Sequence, residues 1–262
     1  MNKRNIILVL LLSIFFAICF FLFPSVNSKK KQSDVFFVNL IDQIDPDIVL
    51  VNIGDGDRSS IASLLAKINA CSPKIIGIDA WFTDERDKVQ DSALMVALKN
   101  IKGDILAFTM DSAGKLIKSH EKFRTLVNDE GLSVSQNFGG LSYMITPIRL
   151  INNHPEELFS LKIIKQWKPD FKDSFALNQS IPVKFSRTLN GFRHFDASQL
   201  RNIDCSKLNG KIVLLGYLGP SDEDKHFTPI RIVEEYPEDK PDTYGLVIIA
   251  NEIRTILEYK KN

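Results

Sequence analysis

A hexapeptide, Asp224-Lys225-His226-Phe227-Thr228-Pro229, follows the apolar run at 212–216 and contains three polar side chains of different chemistry. Alternate residues of an extended chain project to one side, so Asp224, His226 and Thr228 would present a carboxylate, an imidazole and a hydroxyl together. Oxygen atoms combined with one imidazole suit a small ligand or a hard cation. The same side chains could instead hydrogen-bond backbone amides, in which case they form a structural clasp for the loop.

Acidic residues also follow two other predicted strands. The apolar run at 48–53 ends in Gly54-Asp55-Gly56-Asp57, and the run at 75–78 ends in Asp79. Ligand crevices in open parallel sheets form outside the carboxyl ends of the strands. These acids would therefore share one edge with Asp224 and His226, provided that all three strands belong to one sheet. The alternative is purely structural: Asp57 caps the next helix, and Asp79 fastens a loop.

The sequence lacks the common patterns of nucleotide binding and serine hydrolysis. Two carboxylates in the Gly54–Asp57 turn would repel a phosphate, and neither a Walker lysine nor G-x-G-x-x-G spacing is present. No G-x-S-x-G motif occurs either. We therefore expect no catalytic residue and no cofactor. The remaining enzymatic alternative is a metal-dependent hydrolase in which Asp55, Asp79, Asp224 and His226 converge on a cation.

Alternating strand and helix patterns predict an α/β fold, with a mostly parallel sheet flanked by helices. Continuous apolar runs predict buried strands at 48–53, 75–79, 105–108 and 211–216. Apolar residues spaced three and four apart predict helices after Asp57, at 94–101 and at 246–257. The pattern indicates a polar excursion at 111–145, then a mixed α/β insertion at 144–195 with a helix near 157–167 and a strand at 181–185.

The N-terminal segment Ile6–Phe23 contains 18 residues, and Ser13 is its only conventionally polar member. A helix of this length nearly crosses a bilayer, because it rises about 1.5 Å per residue and the hydrocarbon core is about 30 Å thick. We expect an uncleaved single-pass anchor with the body outside the cytoplasm. The alternative is a signal peptide cleaved after Ser28, which would give a secreted protein. The chain then divides into 1–28 (anchor or signal), 29–46 (a lead-in segment, in which Val35–Val38 is either amphipathic or a short strand) and 47–262 (the body).

The balance of charge and the few cysteines limit the partners and the crosslinks. Lys plus Arg number 33 against 32 Asp plus Glu, so no basic field is available to recruit nucleic acid. Cys19 lies in the apolar segment, which leaves Cys71 and Cys205 as a possible pair. In an oxidising compartment they could form a disulfide, but we favour two separate buried thiols.

The chain shares an ordered set of segments with one known family. In the front half these are Val49–Gly54, Arg58, Ile61, the run Pro73–Asp79 and Phe82; in the back half they are Leu208–Gly216, Asp224-x-His226-x-Thr228-Pro229, Gly245 and Ala250-Asn251. Together they resemble the CHASE domain of the second type, an extracellular sensory domain associated with bacterial cyclases and histidine kinases. The chain departs from the family's pattern in the Asp55–Arg58 turn, which many members fill with Trp and Pro, and at Ile249, where many have His.

The resemblance implies that residues 47–262 form an extracytoplasmic sensory domain that binds a ligand and has no enzymatic chemistry. We expect no output domain in this protein, and therefore signalling through a partner membrane protein or through self-association. A secreted binding or scaffold module is the alternative. The candidate ligand-binding residues are Asp55, Asp57, Arg58, Asp79, Asp224, His226 and Thr228; Asp79, Asp224 and His226 would be the ligands if a metal binds.

Overall fold

The structure is a computed structural model that describes residues 43–134, 136–137, 142–222, 224–230, 241 and 243–259. The predicted anchor at Ile6–Phe23 and the predicted lead-in strand at Val35–Val38 lie outside this part of the chain. Within it, no helix is both long enough and apolar enough to cross a membrane.

Strands and helices alternate along the chain, as the sequence predicts. The strands are β1 (Ile48–Asn52), β2 (Ile75–Ile78), β3 (Asp104–Met110), β4 (Leu116–Ile117), β5 (Asp129–Leu132), β6 (Gln136–Asn137), β7 (Tyr143–Ile145), β8 (Ile148–Ile151), β9 (His154–Glu157), β10 (Ile181–Pro182), β11 (Arg193–Asp196), β12 (Ile212–Gly216), β13 (Lys225–His226) and β14 (Thr243–Tyr244). The α-helices are α1 (Arg58–Ala70), α2 (Lys88–Lys99), α3 (Glu121–Arg124), α4 (Phe159–Trp167) and α5 (Gly245–Glu258).

Six strands form a parallel sheet in the order β11, β1, β12, β2, β3 and β5, and β4 pairs antiparallel with the end of β3. The register aligns Val49, Val213 and Ile76 across the three central strands. This arrangement, which we call the main sheet, confirms the predicted mostly parallel sheet. We call the edge at which the parallel strands end the carboxyl edge, and the opposite edge the amino edge.

Both faces of the main sheet are covered, which explains why its central strands are continuously apolar. Val213 and Leu215 of β12 pack with residues of α1 and α2, whereas Ile212 and Leu214 pack with residues of α4 and α5 on the other face. All four residues are fully buried. The central strands therefore provide a rigid base from which the loops at the carboxyl edge project.

Helix α5 runs antiparallel to the strands and connects the two edges. Its second residue, Leu246, packs against Gly216 at the carboxyl end of β12. About two turns later, the Arg254 guanidinium binds the carboxylates of Asp45 and Asp47, which precede β1 at the amino edge. A movement of α5 would therefore change contacts at both edges of the main sheet.

The region predicted as a polar excursion at 111–145 contributes a strand to the main sheet, so that part of the prediction is wrong. Strand β5 pairs parallel with β3, with Ile105 opposite Asp129 and Phe108 opposite Leu132. Its acidic residues hid the strand pattern. Each of them is neutralised by a neighbouring cation: the Lys162 ammonium lies 2.7 Å from Asp129, and the Arg124 guanidinium binds Glu130.

The mixed α/β insertion contains the short strands β6, β7 and β10, which form an antiparallel sheet, and the β8–β9 hairpin. Helix α4 matches the helix predicted near 157–167 and packs on the main sheet. The strand predicted at 181–185 is shorter than expected and comprises only Ile181–Pro182. The insertion therefore has the predicted mixed character.

Cys71 and Cys205 form a disulfide across 134 residues of sequence, with their Cα atoms 4.8 Å apart. Our preference for two separate thiols is therefore wrong. Cys71 follows α1, and Cys205 begins a short 3-10 helix before β12. The fold brings both segments to the amino edge of the sheet, a proximity that sequence separation does not reveal.

Candidate functional site

Asp79 follows β2 directly, at the carboxyl edge of the main sheet. Its backbone amide donates to the carbonyl oxygen of Leu215 at 2.8 Å, which fixes it beside the end of β12. A Cβ added to Gly216 would lie 3.3 Å from the Asp79 Cβ. The glycine therefore leaves room for the Asp79 side chain, which is partly buried on the face of the sheet covered by α4 and α5.

Asp224 and His226 lie in the loop that connects β12 to α5. Strand β13 pairs with β14 just before the helix, and the Gly245 amide donates to the Asp224 carbonyl oxygen at 3.0 Å. The Asp224 carboxylate lies against the first residue of α5, since a Cβ on Gly245 would meet it at 2.9 Å. A carboxylate at a helix N-terminus is stabilised by the helix dipole. The His226 Nε2 lies 3.7 Å from the Asp224 Oδ1.

Glu252 is a fourth ionisable residue of this group. It lies on α5, is only 5% exposed and faces Ser160 of α4. The Ser160 hydroxyl, also buried, is close enough to influence the Glu252 carboxyl but makes no hydrogen bond of good geometry with any residue that the structure describes. Asp79 interacts electrostatically with Asp224 and His226 on the solvent side and with Glu252 on the buried side. We call Asp79, Asp224, His226 and Glu252 the carboxyl-edge group.

Asp79 and Glu252, the two less exposed acids of this group, hold their protons unusually tightly. Burial raises the pKa of Asp79 to about 7, and the negative charge of Asp224 adds to this effect, whereas His226 and a hydrogen bond with Ser133 oppose it. Burial likewise raises the pKa of Glu252 to about 8, with a further contribution from Asp79. At neutral pH the pair therefore carries less than its full negative charge, and both groups can gain or lose a proton near physiological pH.

The sequence prediction missed Glu252, although a signal was present. Glu252 lies three residues after Ile249 and one before Ile253, both on the predicted apolar face of α5. A charged residue next to the apolar face of a buried helix carries a desolvation cost unless it has a partner or a function. That position in the helical pattern marks Glu252 as unusual, but it does not show which residues Glu252 contacts.

Thr228 does not face Asp224 and His226. It is only 2% exposed, and its hydroxyl lies 2.8 Å from that of Thr243, the residue opposite His226 in the β13–β14 pair. For Thr228 the structure agrees with the structural alternative. Thr228 acts as a clasp, while Asp224 and His226 stay about one third to two fifths exposed.

Asp55, Asp57 and Arg58 lie elsewhere. They follow β1, which is separated from β2 by β12, a distance of about 10 Å between strand axes. The Asp57 carboxylate accepts from the Ser60 amide at 2.8 Å and caps α1, as the structural alternative predicts. Asp55 is exposed. The order of the strands in the sheet keeps β1, and the turn that carries both acids, apart from Asp79.

Arg58 is a core residue of the α1–α2 layer. It is 4% exposed, forms an ion pair with Asp91, and donates to the Asp84 carbonyl oxygen at 2.7 Å. Its guanidinium also lies 5.0 Å from the centre of the Phe123 ring. These contacts position the start of α1 against α2 and leave the guanidinium without access to a ligand.

The carboxyl-edge group can attract positive charge but does not form a ready metal cage. In the part of the chain that the structure describes, no three His, Cys, Asp or Glu side chains lie close enough together to hold a metal ion. The group nevertheless combines three carboxyls with one imidazole; the Glu252 carboxyl is buried, and those of Asp79 and Asp224 are partly buried. A cation placed beside them would relieve the cost of ionising them.

Comparison with known proteins agrees with the resemblance seen in the sequence. A family model described as "CHASE2 domain" matches residues 14–262, which is nearly the whole chain. No curated protein and no solved structure gives a match. The members of this family are extracellular sensory domains. This chain belongs to the CHASE2 domain family.

Proposed function

We propose that this protein is a membrane-anchored, extracytoplasmic sensory domain of a bacterial signalling system, and that it binds a small, positively charged ligand at the carboxyl-edge group. The observation that carries the proposal is the position of Asp79, between the exposed Asp224–His226 pair and the buried Glu252. Asp79 connects an accessible polar surface to an ionisable group inside the domain. A ligand bound at the surface can therefore change the charge of the interior.

The charge of the group favours a positively charged ligand. Asp79, Asp224 and Glu252 supply three carboxyls against the single imidazole of His226, and the nearby Lys225 ammonium is held by Asp222 at 2.8 Å. A bound cation would lower the pKa of Asp79 by favouring its ionised form. The same negative charge would repel an anion. A metal-dependent hydrolase is less well supported, since the family is sensory rather than catalytic.

Helix α5 provides a route by which binding could be transmitted. Its first residue supports Asp224, its middle carries Glu252, and Arg254 binds Asp45 and Asp47 ahead of β1. A ligand shifts an equilibrium between two states only when it binds them with different affinities. A change in the charge of Glu252, which is buried beside α4, would supply that difference. The signal would pass to a partner membrane protein or to a second copy of this chain.

Ligand binding is tested by thermal unfolding of the full chain with divalent metal cations and with small organic amines. A ligand at about 100 times its Kd adds about 2.7 kcal/mol, which for a chain of this size raises the Tm by roughly 5–10 °C. We expect such a shift in the wild type and in Asp55→Asn, an exposed control, but not in Asp79→Asn. Failure of every cation and amine to shift the Tm would contradict a positively charged ligand.

Membrane anchoring requires a separate test. We expect the protein in the membrane fraction with the mass of the uncleaved chain, and we expect protease added outside the cytoplasmic membrane to digest the body. A soluble protein that begins after Ser28 would instead identify a secreted binding module.

A further inference from the structure

The amino edge of the main sheet, opposite the carboxyl-edge group, carries two neighbouring clefts with volumes of about 360 and 350 Å³. Arg193, Lys207 and Lys211 line the first cleft, and Lys74 and Lys102 line the second. We call these five residues the basic face. They come from four separate stretches of sequence, so the fold alone assembles them.

The backbone holds the two clefts together. Lys74 directly precedes β2 and Lys211 directly precedes β12, and the Lys74 amide donates to the Lys211 carbonyl oxygen at 2.9 Å. The Cys71–Cys205 disulfide joins the segments that carry Lys74 and Lys207. The basic face is therefore built on fixed backbone, in contrast to a set of lysines scattered over mobile loops.

The charge of the basic face is only partly offset within the described part of the protein. None of its five cations forms an ion pair with a described residue, whereas many other lysines and arginines do. Two acids line the first cleft. Asp45 is buried and bound by Arg254, whereas Asp204 caps a short helix through the Ser206 amide and interacts electrostatically with Lys207 and Arg193. One acid thus offsets part of the charge of five cations. Net positive charge therefore faces solvent on this edge.

Helix dipoles do not explain the basic face. A lysine in the last turn of a helix is stabilised by the negative end of the dipole, and Lys67 of α1 and Lys99 of α2 fit that role. Of the five residues of the basic face, Lys207 ends a three-residue 3-10 helix, Arg193 begins β11, and the other three lie in loops. Their charge is available for an external partner.

The position of the chain's entry into the body indicates which partner. Ile44 lines the first cleft and is 53% exposed, and the chain passes from it through Asp45 into β1. A membrane anchor at Ile6–Phe23 would therefore be tethered, through residues 24–42, to the amino edge and not to the carboxyl edge. Clustered basic residues within about 10 Å of an anionic bilayer are attracted to its headgroups, a range set by salt screening.

We propose that the basic face rests on the anionic phospholipid surface of the membrane. This inference rests on the proposed membrane anchoring and adds an orientation to it. The carboxyl-edge group, at the other edge of the sheet, then points away from the bilayer and towards soluble ligands.

The test is photo-crosslinking of the full chain in vesicles of phosphatidylcholine, with or without phosphatidylglycerol. A benzophenone amino acid replaces Asn100, an exposed residue that lines the second cleft, or Ser112, an exposed residue just beyond the carboxyl end of β3. We expect lipid adducts at the Asn100 position, several-fold more with phosphatidylglycerol than without it. We expect few at the Ser112 position in either lipid.

Matched charge variants complete the test. Lys74→Glu with Lys102→Glu reverses two exposed cations of the basic face; Lys88→Glu with Lys115→Glu reverses two exposed cations towards the carboxyl edge. The first pair should reduce adducts at the Asn100 position to the level without phosphatidylglycerol, and the second should leave them unchanged. Equal adducts at both probe positions, or no response to anionic lipid, would overturn the proposal. Vesicle flotation in high salt separates the causes: a chain that floats but lacks adducts retains its anchor, whereas one that does not float refutes anchoring as well.

Discussion

Asp79 and Glu252 come from opposite ends of the domain's sequence, yet their carboxyl groups interact beneath the carboxyl edge of the main sheet. Asp79 is held at the end of β2, and Glu252 is buried on α5 next to α4. Two carboxyls in such surroundings resist joint ionisation, because each negative charge raises the pKa of the other. The pair is thus sensitive both to protons and to any positive charge bound nearby.

This pair should make the domain's stability depend on pH in a defined direction. An acid whose pKa is raised in the folded state binds its proton more tightly there than in the unfolded chain. The contribution to the free energy of unfolding is therefore most favourable below the ordinary values of 3.8 and 4.5. It decreases as the pH rises through the folded values of about 7 and about 8.

Glu252→Gln isolates this effect, because the amide stays neutral at every pH. We expect the variant to be more stable than the wild type by roughly 1–3 kcal/mol at about pH 9, and to differ little at about pH 4. Urea unfolding at the two pH values measures the difference. Glu258→Gln, at an exposed position on the same helix, is the control and should show no such pH dependence. A variant that is less stable than the wild type at high pH would argue against a strained carboxyl at Glu252.

Breaking the ion pair between Arg58 and Asp91 should strongly destabilise the fold. Burial opposes ionisation of Asp91, but hydrogen bonds from Lys122 and Arg58 hold its pKa well below the usual range. Asp91→Asn leaves the buried Arg58 guanidinium without its counter-charge, so we expect a loss of about 3–5 kcal/mol at neutral pH by urea unfolding. Asp84→Asn disrupts an exposed pair with Arg86 and should cost at most about 1 kcal/mol. Equal losses in the two variants would place Arg58 outside the core.

Reduction of the Cys71–Cys205 disulfide should lower the Tm. The crosslink closes a loop of 134 residues, and loss of a native disulfide typically costs about 2–5 kcal/mol. We expect a reductant to lower the Tm of the wild type and of Cys19→Ala equally. It should have no effect on the double variant Cys71→Ala, Cys205→Ala, which starts from the lower Tm. Insensitivity of the wild type to reductant would show that the thiols are unpaired in the protein.

Substitutions at Thr228 and at Asp224 should distinguish the structural role of the loop from its role in ligand binding. Thr228→Val removes the hydroxyl that bonds Thr243 while keeping the volume, so we expect a loss of about 1–2 kcal/mol of stability and unchanged ligand binding. Asp224→Asn should weaken cation binding with little loss of stability. Thermal unfolding with and without the cation measures both quantities for each variant. A Thr228→Val variant that folds normally but no longer binds the cation would show that Thr228 belongs to the binding site.

Sequence alone predicts the central part of this fold, because its strands are buried on both faces. The runs that became β1, β2 and β12 are continuously apolar, and Asp57 caps α1 as its position predicts. Strand β5 escaped prediction for the opposite reason. Its sequence, Asp129–Leu132, begins with two acids, which pair with Lys162 of α4 and Arg124 of α3. Neither pairing can be read from the sequence of the strand itself.

The candidate site is predictable only in part. The sequence identifies Asp79 because it directly follows an apolar strand, and it identifies Asp224 and His226 by their alternate spacing. The structure brings these three residues together. Glu252 joins them through the packing of α4 against α5, and no local pattern encodes that packing. Arg58 followed from the family resemblance, but its partner Asp91 lies on the next helix, and this long-range pairing determines that it is buried.

The most direct test is calorimetric titration of the full chain with a metal or quaternary ammonium cation, whose own charge is constant, at about pH 6 and about pH 9. At the lower pH the cation must displace a proton from Asp79, whose pKa is about 7, so the affinity should be about tenfold weaker than at the higher pH. Asp79→Asn should bind weakly and show a smaller dependence on pH, while Asp55→Asn should match the wild type. Binding that is independent of pH, or that survives unchanged in Asp79→Asn, would contradict a cation site at the carboxyl-edge group.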